Sequence, residues 1–204
     1  MAKEIRTFNF EVRADQSDDH GHFLTGRPII YDSRTDLGWY DEIIARGALD
    51  KADMKDVRFL INHNTDMVPL ARSRNNNENS TMQLSVDDDG MLIRVDLDVE
   101  NNSDARNLYS AVERRDIDGM SFMFTVDGDI WEEQESDHPV RTITSFGKIF
   151  EVSAVTFPAY EATSIQARGL SDALDSAKAS LESAKAEARA IEAKKQKIRI
   201  LSEV

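Results

Sequence analysis

The sequence predicts an α+β protein, mainly β, with a body of short strands, a few short helices and one long C-terminal helix. Three observations carry this. Several segments alternate apolar and polar residues with period 2, the pattern of half-buried strands. Turn residues punctuate them at short intervals; the clearest case is Asp87-Asp88-Asp89-Gly90, which joins the alternating runs Met82–Val86 and Met91–Val99 as a hairpin. After Gly169 the composition shifts to Ala, Glu, Lys and Ser, with no Gly, Pro or aromatic over Ser171–Leu201.

The elements follow in order. Phe8, Phe10 and Val12 alternate with polar neighbours, so Ile5–Arg13 reads as the first strand. Asp15–His22 reads as a polar loop. Its Asp18, Asp19, His20 and His22 are metal-ligand types, but their spacing fits no standard site and solvated turn residues explain them better. Phe23–Tyr31 is a second strand in which Gly26 and Pro28 mark an edge or a bulge. Trp39–Ile44 leads to a short helical stretch at Ala48–Lys55. Val57–Asn62 is an apolar run that ends at His63, as a buried strand emerging at a rim would. Met67–Ser73 follows a brief turn. Asn102 or Ser103 caps a helix over Asp104–Arg114 with Ala105, Leu108, Ala111 and Val112 on one side. Met120, Phe122, Phe124 and Val126 then alternate with Ser121, Met123 and Thr125 in a strand that opens just after Gly119. Asp127–Pro139 reads as a loop anchored by Trp131. Val140–Thr144 and Ile149–Phe157 are the last strands.

Charge narrows the functional classes. The 204 residues carry a net charge of −13. Residues 171–204 hold seven basic and six acidic side chains, which leaves −14 on the rest. Such a body is a poor match for nucleic acid or an anionic membrane, both of which call for clustered Lys and Arg. No segment has the roughly 20 apolar residues of a membrane span. The absence of cysteine removes disulfides, thiolate zinc sites and a cysteine nucleophile. No cofactor and no metal are expected.

Three residue types in the body suit acyl transfer. Ser121 stands two residues after Gly119 and points away from the apolar face of its strand. His63 closes a buried strand, and Glu151 opposes Phe150 and Val152 in the last one. A serine hydroxyl is a weak nucleophile at neutral pH. An imidazole can take its proton and return it to a leaving amine, while a carboxylate on the far ring nitrogen sets the tautomer. His138, in an acidic loop before a proline, is a poorer base candidate. His63 as a strand cap and Glu151 as a solvated position remain the alternatives at this level.

The order of motifs resembles the prohead maturation proteases of tailed phages, the caudovirus prohead proteases, which are similar in fold to the herpesvirus assemblins. The matching pieces are Tyr40–Leu49 (YDEIIARGAL), Phe59–Asn64 (FLINHN), Leu70–Arg72 (LAR), Asp118–Phe124 (DGMSFMF) and Phe150–Thr163 (FEVSAVTFPAYEAT). The resemblance covers the body from about Phe23 to Thr163; the closing EVS-x-V-T-x-PAY element is its most specific part. Asn64 stands where many relatives carry Asp.

The resemblance implies a serine endopeptidase on a closed or partly closed antiparallel β-barrel flanked by short helices. By position, His63 is the general base, Ser121 the nucleophile and Glu151 the third member. Arg72 falls at the family's post-histidine arginine; either it supports the oxyanion or it forms a structural ion pair. The implied setting is the inside of an immature capsid in the host cytoplasm. The implied partners are the major capsid protein and its scaffold or delta segment, with self-cleavage a family habit. On this reading residues 1–168 are the protease domain and residues 169–204 a helical tail.

Leu170, Leu174, Ala177, Leu181, Ala184, Ala188, Ile191 and Ile198 form a 4-3 series interrupted by Lys195, so the tail is a coiled-coil-like helix that needs a partner. Docking on scaffold or capsid and self-association are both open, as is removal by self-cleavage. The alternative function is a catalytically inactive protease-fold assembly protein that acts through this helix.

Overall fold

The computed structural model describes residues 3–8, 12–17, 21–156 and 166–202, with side chains in the last segment over 174–198. Its elements in chain order are β1 (Glu4–Phe8), β2 (Arg13–Ser17), β3 (Gly21–Ile30), β4 (Thr35–Asp36), β5 (Asp41–Ile44), β6 (Asp56–Ile61), β7 (Ala71–Arg74), β8 (Met82–Asp87), β9 (Gly90–Asp96), α1 (Ser103–Glu113), β10 (Gly119–Glu132), β11 (Val140–Val155) and α2 (Gln166–Ser202).

The strands form two sheets. One runs β1-β10-β11-β5-β4, with β6 added to β11 and β7 to β6; the other runs β2-β3-β9-β8. The body is mainly β as expected, but the barrel is not formed. A barrel needs an unbroken ladder that returns to its first strand. Here β1 and β4 end one path, β2 and β8 end the other, and no pairing among the described residues joins them. Nor is the order purely antiparallel: β5 and β6 both run parallel to β11, at its start and at its end.

The inner faces of the two sheets share one core. Leu24, Ile29, Met91 and Ile93 from the second sheet meet Phe122, Phe124, Phe146 and Val152 from the first, all buried. Phe146 stands edge-on to Phe122 and Phe124 at ring-centroid distances of 6.1 and 5.0 Å, a favoured aromatic geometry. The expected hairpin β8–β9 forms and turns through Asp88 and Asp89, with Asp87 paired to Gly90. Gly90 adopts φ +136°, and a Cβ there would lie 2.0 Å from the Ile29 carbonyl oxygen, so only glycine lets β3 approach this closely. Helix α1 is capped as expected: the Asn102 side chain accepts from the backbone N–H groups of Asp104 and Ala105, and Ala105, Leu108 and Val112 are buried.

Several local expectations are corrected. The predicted strand Ile5–Arg13 is two elements, β1 ending at Phe8 and β2 starting at Arg13, in different sheets; Asp15–Ser17, expected as loop, belongs to β2 and pairs with β3. Of the predicted metal-ligand group, His22 stands edge-on to Tyr109 at 4.7 Å, and Asp18, Asp19 and His20 lie outside the described residues. Ala48–Lys55 is a series of turns rather than a helix. The predicted loop over Asp127–Pro139 is strand in its first part and loop only from 133 to 139: β10 continues to Glu132, and β10 and β11 form one long hairpin, kinked by register shifts between Met123 and Asp129. The polar composition of this stretch hid it, because beyond the kink β10 no longer faces the main core.

There the hairpin meets α2. Trp131, Tyr40, Ala177 and Leu181 make a second apolar cluster, with Leu37, Trp39, Leu174 and Ala184 packed against it. The tail helix therefore finds a partner in its own body over its first half. Beyond it, Ile191 and Ile198 are 54% and 67% exposed.

Beside this cluster lies a buried charge network that the sequence reading did not anticipate. Arg6 Nη2 donates to Glu4 Oε2 at 2.7 Å, and Arg6 Nε pairs with Glu42 Oε1 at 2.5 Å. Arg141 donates to Glu4 at 2.8 Å and to Asp129 at 2.7 Å. Ser176 of α2 donates to Glu4 at 3.0 Å, and Ser180 donates to Asp129 while accepting from the Trp131 indole. Burial pushes the Tyr40 hydroxyl up to about 12 beside these charges. The network ties β1, β5, β10, β11 and α2 together.

Candidate active site

The site lies on the outer face of the larger sheet, opposite the core. Period-2 alternation puts it there: Phe122, Phe124, Val152, Ala154, Val57 and Phe59 face inward, so Ser121, Met123, Glu151, Ser153, Arg58 and Leu60 face outward. Register then arranges the outward residues in two rows across the strands. One row is Thr7–Ser121–Ser153–Leu60, and the next is Ile5–Met123–Glu151–Arg58. Neighbouring rows on one face stand about 7 Å apart.

His63 reaches this face through a reversal of the chain at the end of β6. Asn62 and His63 both adopt left-handed conformations, with φ of 52° and 57°. Asparagine tolerates this better than most residues, and its side chain is engaged here: Asn62 Oδ1 accepts from the Thr156 backbone N–H at 2.9 Å and Asn62 Nδ2 donates to Thr156 Oγ1 at 3.0 Å. Histidine in this region stores strain that the surrounding contacts must hold. The His63 N–H donates to Ser153 Oγ at 3.1 Å.

The result is a His–Glu pair. His63 Nδ1 lies 2.5 Å from Glu151 Oε1, and both side chains are largely buried. The other carboxylate oxygen accepts from Ser153 Oγ at 2.5 Å. His63 Nε2 is buried and meets no hydrogen-bond partner among the described residues. A carboxylate on Nδ1 fixes the tautomer that leaves Nε2 free to accept a proton, and it stabilises the imidazolium that follows.

Ser121 is the direct cross-strand neighbour of Ser153, which places it beside this pair, but no hydrogen bond joins it to His63. Its hydroxyl is 0% exposed; it donates to the Arg6 carbonyl at 2.8 Å and accepts from Thr7 Oγ1 at 3.0 Å. Strand β1 thus holds the hydroxyl on the side away from the imidazole. Arg72 is engaged in an ion pair: its Nε and Nη2 donate to the two oxygens of Asp56 at 2.6 and 2.9 Å, and the bond from Arg72 holds the Asp56 carboxyl below its ordinary value. His138 is elsewhere, 3.0 Å from Asp41, where it and Arg34 hold that carboxyl below its ordinary value.

Sequence reasoning missed Ser153, which bridges the backbone of His63 to the carboxylate of Glu151. A signal was present: Ser153 is two residues from Glu151 on one strand and so shares its face.

An imidazole oriented by a carboxylate and set beside a strand serine brings together the residue types that hydrolytic acyl transfer uses. The chain matches the family described as Caudovirus prohead serine protease over residues 8–176, and it belongs to that family of serine proteases. No curated protein and no solved structure matches it.

Proposed function

We propose that Ser121, His63 and Glu151 are the catalytic set of a capsid-maturation endopeptidase that cuts the scaffold or delta segment of its phage's major capsid protein, and itself, inside the immature capsid. The observation that carries the reading is the His63–Glu151 pair with Nε2 left free beside the row that holds Ser121.

In the proposed reaction Ser121 Oγ attacks the scissile carbonyl carbon as its proton passes to His63 Nε2. The carbonyl π bond opens to an oxyanion. The tetrahedral intermediate then collapses: the C–N bond breaks, and the leaving nitrogen takes the proton from His63. Water, deprotonated by the same imidazole, attacks the acyl-enzyme and releases Ser121. Glu151 stays ionised on Nδ1 throughout. Arg72 supports the oxyanion after exchanging Asp56 for the substrate, an exchange made easier by the exposure of that pair.

Before any of this, Ser121 must release the Arg6 carbonyl and turn toward His63. The arrangement described above is therefore a resting one, and a shift of β1 is the step that arms it. Helix α2 is bonded to β1 through Ser176 and Glu4, so the tail is placed to govern that shift. In this proposal residues 1–168 are the protease and residues 169–204 a tether, whose exposed distal half, with Ile191 and Ile198, engages scaffold or capsid or a second copy.

The test is co-expression with the capsid protein. Wild type is expected to process it, and Ser121→Ala and His63→Ala are expected to leave it intact. Equal processing by wild type and Ser121→Ala removes Ser121 from the chemistry. Mass spectrometry of fluorophosphonate-labelled protein then decides between Ser121 and its neighbour Ser153.

A further inference from the structure

A groove of about 320 Å³ opens on the second outward row, directly beside Glu151. Its walls are apolar: Leu60, Met67, Met123 and Phe150 line it. Its polar groups, apart from Glu151 and Thr65, are two cations, Lys3 and Arg58. The row that holds Met123, Glu151 and Arg58 is one step, about 7 Å, from the row that holds Ser121. A peptide presenting its carbonyl to Ser121 would therefore place a side chain from within one or two residues of the scissile bond in this groove.

The charge of the groove runs against the protein. The body carries a net charge of −14, yet neither cation here is neutralised in full. The Lys3 ammonium sits 4.5 Å from the Phe150 ring centroid and meets no carboxylate among the described residues. Arg58 donates to Asp56 at 3.1 Å, but Asp56 also takes both bonds from Arg72, so two guanidinium groups share one carboxylate. The one anion in the lining, Glu151, is already engaged by His63 and Ser153.

A side chain suited to this groove has an aliphatic stem for the apolar walls and a negative end for the cations. We infer that the groove is a specificity pocket for a substrate glutamate next to the scissile bond. A lysine or arginine would meet two like charges there. The inference deepens the Ser121–His63–Glu151 reading and rests on it.

The experiment uses the full chain co-expressed with its capsid protein, the new termini being located by mass spectrometry. Wild type is expected to cut within two residues of a glutamate. Changing that substrate glutamate to lysine is expected to slow processing at least tenfold, and Arg58→Glu in the protease is expected to restore it at least in part. Where Arg58→Glu does not fold, Lys3→Glu, at an exposed position, takes its place. Cutting that depends on Ser121 but shows no glutamate within two residues of the bond overturns the pocket and leaves the catalytic set standing. A charge swap that rescues nothing in either variant also overturns it. Processing that survives Ser121→Ala overturns the catalytic reading, and the pocket with it.

Discussion

Replacing Glu151 by glutamine tests the centre of the mechanism with a change of a single atom. The carboxylate now accepts from Ser153 on one oxygen and holds His63 Nδ1 on the other. An amide cannot do both. With its oxygen toward Ser153, its NH2 faces Nδ1, drives the proton to Nε2 and removes the base. With its oxygen toward His63, its NH2 meets a Ser153 hydroxyl that already accepts from the His63 N–H, and the Ser153 proton loses its acceptor. Either way one hydrogen bond to a charged group is lost, about 1.5–3 kcal/mol, together with the stabilisation of the imidazolium. A combined loss of roughly 4–5.5 kcal/mol corresponds to a fall of about 10³–10⁴ in kcat, the scale of the carboxylate-to-amide change in the serine-protease template. The assay is the rate of capsid-protein processing, with nitrogen-15 spectra of the His63 ring reporting the tautomer and thermal melting reporting the fold. A fall of less than tenfold in a folded variant with an unchanged tautomer would refute the assignment of Glu151.

Other outcomes are expected from the same contacts. Ser153→Ala removes one buried bond to the carboxylate, about 1.5–3 kcal/mol, and should lower kcat roughly 10–100-fold, with an altered pH–rate profile. A structural role alone would lower the melting temperature and leave that profile in place. Glu4→Gln weakens the compensation of buried Arg6 and Arg141 and should destabilise the protein by about 3–5 kcal/mol in urea titrations. Burial pushes the Glu4 carboxyl up, but Arg6 and Arg141 outweigh it, and it stays below its ordinary value. A depressed folded-state pKa contributes stability that is present above the unfolded carboxylate range and is lost as pH falls through the folded value. Acidification should therefore loosen α2, seen as a change in Trp131 fluorescence, and Glu4→Gln should blunt that dependence. Leu181→Ala should cost about 2 kcal/mol of helix docking and raise hydrogen exchange over residues 174–184, with the core strands unaffected.

The main-β character, the β8–β9 hairpin, the cap at Asn102, the long tail helix and the outward face of Ser121 and Glu151 were legible in the sequence. Each depends on residues close in the chain: a period of 2, a period of 3.6, a turn, a cap. The candidates His63, Ser121 and Glu151 came from the sequence as well, and the structure joins two of them, His63 and Glu151. The strand hidden in 127–132 was not, because its inner side packs on a tail helix rather than the main core, and its polar composition reads as loop.

What tertiary structure alone decided is which residues meet. Whether strands close into a barrel or stop as two open sheets depends on long-range register, and local alternation is the same in both. The bridge from His63 through Ser153 to Glu151 needs β6 to run parallel to β11 at one offset, and a slip of one residue in β6 would turn Arg58 and Leu60 into the core and carry His63 out of register with Ser153. The buried network of Glu4, Arg6, Glu42 and Arg141 is invisible along the chain, since charged residues spread over three distant segments read as solvated until pairing brings them to one point. The same is true of the hydrogen bond made by Ser121: its type and face follow from the sequence, but the Arg6 carbonyl that holds its proton comes from a strand more than a hundred residues away.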